Sequence, residues 1–163
     1  MNFEHRHRYP RPVDVVWQTL FSPAYEAAMQ QETGITRELL EDRQAGAIRR
    51  RRTRMTSAAE LPAVAQSVVG AKKLSYELIE EINEADFAVR WEVKPDRIGD
   101  KVEARGSYRF AEAPGGAERT MLGTVTVRVP LVGGRIESAV AEELRAGYDK
   151  AHAFATRWLL ERT

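Results

Sequence analysis

Residues 124–137 read Thr-Val-Thr-Val-Arg-Val-Pro-Leu-Val-Gly-Gly-Arg-Ile-Glu, and a helical pattern then continues to about Arg162. The alternation up to Pro130 is that of a strand, and proline closes it because it cannot donate to a ladder. Gly133 and Gly134 form a hinge. Beyond them Ile136, Val140, Leu144, Ala151, Phe154, Ala155 and Trp158 fall on one stripe, with Glu142, Arg145, Asp149 and Arg157 on the opposite side. A helix of that length needs a broad surface on which to bury its stripe. The chain before it is mostly strand, so a curved sheet that grips the helix is the expected solution.

The upstream pattern supplies such a sheet. Phe3, His5, His7 and Tyr9 alternate with Glu4, Arg6 and Arg8, the period of a half-buried strand. Pro10 and Pro12 end it, and Val13, Val16, Trp17 and Leu20 recur at helical spacing. Ser22-Pro23 reads as an N-cap with proline at the first helical position, opening a second short helix that Gly34 stops. Strands are expected over 35–43, 47–55, 73–82, 87–94, 101–111 and 118–129. Between them Leu61–Val69 reads as a short helix or a lid-like loop. Faces with one wet and one dry side, such as Phe87, Val89, Trp91 and Val93 against Arg90, Glu92 and Lys94, indicate antiparallel pairing. Gly106 and Gly123 sit where a bent sheet needs small residues on its concave face. The predicted fold class is α+β. An antiparallel sheet of about six to seven strands curves around a long C-terminal helix, with two short helices after the first strand.

Composition narrows the function classes. The 163 residues suit a single domain spanning 1–163, and the 43% hydrophobic and 30% charged fractions are those of a globular chain. A formal net charge of +1 offers no global field for nucleic acid or an anionic membrane. Cysteine is absent, which removes disulfides and thiol nucleophiles. No apolar run reaches the ~20 residues of a membrane span, and the N-terminus lacks an apolar signal core. A cytoplasmic monomer or homodimer, with no nucleic-acid partner and no integral membrane association, is the expectation.

Three segments carry a family resemblance: Thr126-Val-Arg-Val-Pro-Leu-Val-Gly-Gly-Arg-Ile-Glu137, Phe154-Ala-Thr-Arg-Trp-Leu159 and Leu61-Pro-Ala-Val64. Through them the chain resembles, over essentially its whole length, the START-like (SRPBCC, helix-grip, Bet v 1-like) superfamily. Within that group it is most similar to a bacterial family of unknown function, the one numbered 2505. The resemblance implies the helix-grip fold and a cavity suited to lipids or other apolar molecules. It supplies no catalytic residues. The arginine-rich strand and the paired N-terminal histidines depart from what relatives would show.

The residues themselves offer few chemical constellations. Arg49-Arg-Arg-Arg52 with Arg54 alternates across a strand, so some of these side chains face inward. Either cross-strand carboxylates such as Glu41, Asp42, Glu77 and Glu80 pair with them, or Arg49 and Arg51 anchor an anion through their guanidinium forks. The sequence leaves open whether the run faces an interior or solvent. His5 and His7 share a strand face and read as partly exposed or hydrogen-bonded. A metal would need His152, which falls on the polar side of the long helix, so no metal site and no cofactor is expected. Trp17, Tyr76, Trp91, Tyr108, Phe110, Leu144, Tyr148 and Ala151 are the candidate cavity-lining residues, alongside the bland reading that they fill a core. No serine lies in a nucleophile elbow, and Gly133-Gly134 lacks the lysine of a phosphate loop.

Three functions are compatible with this pattern. The first is a module that holds a lipid, polyketide or other hydrophobic small molecule between helix and sheet. The second is a cyclase- or dehydratase-type enzyme on the same fold, using Tyr, His or Arg for proton transfer. The third is a regulatory protein-interaction module with a packed interior. Nothing in the residues marks catalysis, so binding is the leading expectation.

Overall fold

The structure, a computed structural model, describes residues 1–162. Strand β1 (Asn2–Tyr9) is followed by helices α1 (Val13–Leu20) and α2 (Pro23–Thr33). The hairpin of β2 (Thr36–Ala45) and β3 (Ile48–Thr56) leads to the short helix α3 (Ala63–Val69). Strands β4 (Ser75–Asn83), β5 (Ala88–Pro95), β6 (Val102–Ala113) and β7 (Gly116–Val127) complete the sheet, and α4 (Gly133–Arg162) ends the described chain. The seven strands pair antiparallel in the order β1-β7-β6-β5-β4-β3-β2. All neighbours are consecutive except β1 and β7, so the first strand lies beside the last and just before α4. This is the helix-grip α+β arrangement read from the sequence. Element ends differ from that reading by a residue or two.

Local signals act as their chemistry dictates. The Ser22 hydroxyl accepts from the Tyr25 N–H at 3.3 Å, and Gly34 ends α2 in the left-handed region. The 61–69 segment resolves as helix, preceded by Pro62 and stopped by Gly70. Gly133 lies so close to the Val127 carbonyl that a Cβ there would collide with it. That contact lets α4 start directly against the end of β7.

Curvature has a specific source. Gly106 and Gly123 face each other across β6 and β7, with Trp91 beside Gly106 and Phe3 beside Gly123 in the same cross-sheet row. A Cβ at Gly106 would strike the Leu122 carbonyl and the Trp91 ring; one at Gly123 would strike the Phe3 ring. The missing side chains let both aromatic rings lie flat across the strands, 6.3 Å apart and stacked. Gly123→Ala is therefore expected to destabilise the protein by about 1–3 kcal/mol through overpacking. Urea unfolding measures this, and an unchanged midpoint would contradict the flat packing of Phe3.

Candidate binding site

The site is defined by how α4 is seated. Ile136 near its start and Ala155 and Leu159 near its end are buried, at 6%, 2% and 0% exposure. Between them Val140, Leu144, Tyr148 and Ala151, on the inward stripe, are only half-buried. The apolar core divides in the same way. One group joins Tyr9, Val16, Trp17, Tyr25, Phe110 and Leu159 at the α1–α2 end. The other joins Ala65, Trp91, Ala104, Val125, Val127 and Ile136 at the α3 end, with Leu61, Val64 and Val68 packed over it. Tyr108 touches both groups.

A polar belt crosses the concave face between the two groups. Thr53 and Arg51 come from β3, Glu80 from β4, His5 and His7 from β1, and all are buried. Arg51 donates through Nε and Nη2 to Glu80 at 3.0 and 2.9 Å, and through Nη1 to Glu26 of α2 at 2.7 Å. Arg49 makes a two-pronged pair with Asp42, both contacts at 2.7 Å. Arg52 and Arg54 pair with Glu41, Glu77 and Asp96 on the other face. The forks of Arg49 and Arg51, considered from the sequence as anion anchors, are thus occupied by protein carboxylates. Their partners reach them directly or diagonally across the ladder, because Asp42 and Glu80 both stand opposite Arg51.

A different arginine lacks such a partner. Arg119 lies on β7 in phase with the inward residues Ala117, Met121 and Val125. Its Nη2 donates to His7 Nδ1 at 3.2 Å, and His7 Nε2 lies 2.8 Å from Asp149 Oδ1 of α4. These contacts assign the tautomer: Nε2–H donates to the carboxylate, and Nδ1 accepts from the guanidinium. The rings of Tyr9, Tyr108 and Tyr148 surround the guanidinium carbon at 5.9, 6.0 and 5.8 Å. Among the described residues no carboxylate lies within ion-pairing distance of Arg119, and its Nε is buried without a hydrogen bond. The sequence did carry a signal for this residue, an arginine in the apolar phase of a strand.

Other polar atoms of the belt are also unmatched. His5 Nε2, Thr53 Oγ1 and Trp91 Nε1 are buried with no protein partner. Burial raises the pKa of the Tyr76, Tyr108 and Tyr148 phenols, that of Tyr148 to about 12, so all three are neutral donors at pH 7. Of the aromatic residues expected to line an interior, Trp17 and Phe110 instead pack against each other in the α1-end core, ring centres 6.0 Å apart. Trp91 borders the belt from the α3-end group. Tyr108 adjoins it, and Leu144, Tyr148 and Ala151 stand above it on α4. His5 and His7 are buried, at 8% each, where the sequence suggested partial exposure or hydrogen bonding, and of the two His7 has the hydrogen bonds; β1 runs beneath α4, which the pattern of β1 alone does not show. His152, half-buried, sets a tilted ring against that of His7, centres 4.7 Å apart. An open recess of about 620 Å³ is lined by the outward residues Arg50, Glu81, Arg90, Glu92 and Arg105 and reaches Trp91 and Gly106.

The histidines impose a pH dependence. Burial, outweighing the opposing pull of Asp149, lowers the pKa of His5 and His7 below the ordinary 6.5, and Arg145 and Arg119 lower that of His5 further. Above that value both states hold neutral imidazoles and the contribution to stability is complete. As pH falls below it, the unfolded chain takes up protons that the folded one does not, and stability is lost. The urea midpoint is expected to drop between about pH 7 and about pH 5, and to drop less in His5→Gln. A midpoint that holds or rises on acidification would contradict buried neutral histidines.

Comparison with known proteins agrees with this architecture. The structure of TTHA0849 from Thermus thermophilus superposes with a TM-score of 0.72 at 16% identity, covering 100% of this chain and 99% of that one. An aromatase/cyclase from Streptomyces sp. R1128, Zhui, gives 0.65 at 13% identity, with 98% and 95% covered. Ara h 8.0201 gives 0.61 at 10% identity, with 95% and 97% covered. At these identities the likeness shows the fold alone, the START-like, Bet v 1-like helix grip. No curated protein matches the sequence. A family model described as a protein of unknown function, DUF2505, matches residues 4–159, and the chain belongs to that family.

Proposed function

We propose that this protein binds a hydrophobic small molecule between the middle of α4 and the concave face of the sheet. Tyr76, Trp91, Tyr108, Leu144, Tyr148 and Ala151 line the space. The observation that carries this reading is the seating of α4: its ends are buried in two separate apolar groups, and its middle is half-buried over a belt with unmatched polar atoms. Sites for apolar ligands combine such walls with a few polar atoms that orient the guest. A fully packed regulatory module would bury the middle of the helix as deeply as its ends.

Proton-transfer chemistry of the cyclase or dehydratase kind has weaker support. Both nitrogens of His7 are engaged, and the buried carboxylate of Glu80 is held by Arg51. His5 Nε2 alone of this group is left without a partner.

The neutral fluorophore N-phenyl-1-naphthylamine tests the binding reading. The wild type is expected to take it up with a blue-shifted emission. Ala151→Trp, which fills the space from above, is expected to weaken uptake about tenfold with circular dichroism unchanged. Equal uptake by both proteins, or none by the wild type, would refute the site.

A further inference from the structure

We propose that Arg119 anchors a carboxylate, so that the natural ligand is an amphipathic acid with an apolar body and one anionic end. This rests on the binding reading above and adds the chemical class of the guest. Arg37, Arg49 and Arg51, the other arginines in the inward phase, are met by Glu26, by Asp42 and by Glu80 with Glu26 respectively. Arg119 is not. Its one protein hydrogen bond runs to a neutral imidazole nitrogen, which orients the guanidinium without cancelling its charge.

The surroundings favour an anion at that point. Three tyrosine rings surround the half-buried guanidinium and attract it through their faces, but they bring no negative charge. Arg119 Nε is buried and vacant as a donor, and so is the possible donor His5 Nε2 nearby on the same face. His5 is more than nine-tenths buried. The Tyr108 and Tyr148 phenols, kept protonated by burial, form no hydrogen bond with the described residues and stand beside Arg119. A carboxylate there would receive charge-assisted hydrogen bonds, the strong kind. One uncompensated positive charge calls for a monoanion. A phosphate dianion would bring a second negative charge toward Tyr108 and, beyond it, the buried Glu80, whose field already reaches that phenol. The apolar body would extend under Leu144 and Ala151 toward Trp91 and the α3 end.

The test compares dodecanoate with dodecan-1-ol, each displacing N-phenyl-1-naphthylamine at pH 8. The wild type is expected to bind the acid about tenfold more tightly than the alcohol. Arg119→Gln is expected to lose that preference and keep its affinity for the alcohol within about twofold. Arg119→Lys, which keeps the charge, is expected to retain part of the preference, and Tyr148→Phe to weaken the acid alone. A wild type that takes up the neutral probe without preferring dodecanoate, including one that binds neither chain, refutes the anchor and leaves the binding site standing. A preference that survives in Arg119→Gln refutes it equally. A wild type that takes up none of the three compounds refutes both readings. The wild-type comparison needs no variant, so a failure of Arg119→Gln to fold does not shield the proposal.

Discussion

How one long helix seats on a bent sheet is the constraint on which the rest of this structure depends. At 30 residues, α4 is about 45 Å long. The sheet beneath it is bent where Gly106 and Gly123 meet and where Phe3 and Trp91 lie flat over them. The helix is therefore buried most deeply toward its ends, at Ile136 on one side and Ala155 and Leu159 on the other, while its middle meets the sheet through polar contacts, Asp149 to His7 above all. The hydrophobic core falls into two groups that share only Tyr108 among the described residues.

The polar belt occupies the stretch that the split leaves, and its members differ in how they meet the cost of burial. Arg51, Glu80 and Glu26 form a closed ionic set, the arrangement in which desolvation is offset by matched geometry. That set also ties α2 to β3 and β4, which fixes the α1–α2 end of the grip. The Asp149–His7–Arg119 chain ties α4 to β1 and β7, but its inner end is a cation without a counter-charge. Structural ion pairs close one side of the belt, and the other side is left chemically open. An unmatched group that costs several kcal/mol persists most readily where something outside the chain completes it.

Much of this was legible before any coordinates. The strand–Pro–Gly-Gly–helix passage announced a long gripped helix, and the alternation of Phe87–Val93 and Val102–Phe110 gave the inward faces of β5 and β6. Gly106 and Gly123 were readable as bend points. Cross-strand pairing of the arginine run with carboxylates was legible as one of two alternatives, but which carboxylate meets which arginine was not, because that depends on register: Asp42 stands opposite Arg51 and reaches Arg49 diagonally. Trp17 and Phe110 looked like lining because inward is all that periodicity reports; which end of a split core they fill is a tertiary fact. For His5 and His7 partial exposure and hydrogen bonding stayed open, because the placement of β1 under α4 arises from a pairing more than a hundred residues distant in sequence. Arg119 was visible as an arginine in an apolar phase, and only the missing carboxylate makes it distinctive.

Diffraction from a crystal of the protein held under xenon pressure tests the central claim most directly, since xenon enters apolar space that side chains leave empty. The expected result is a xenon site, or a bound molecule in its place, in contact with Leu144 and Ala151 on α4 and with Trp91 on the sheet. Leu144 and Tyr148 packed directly onto Trp91 and Glu80, with no density between them, would contradict the proposed site.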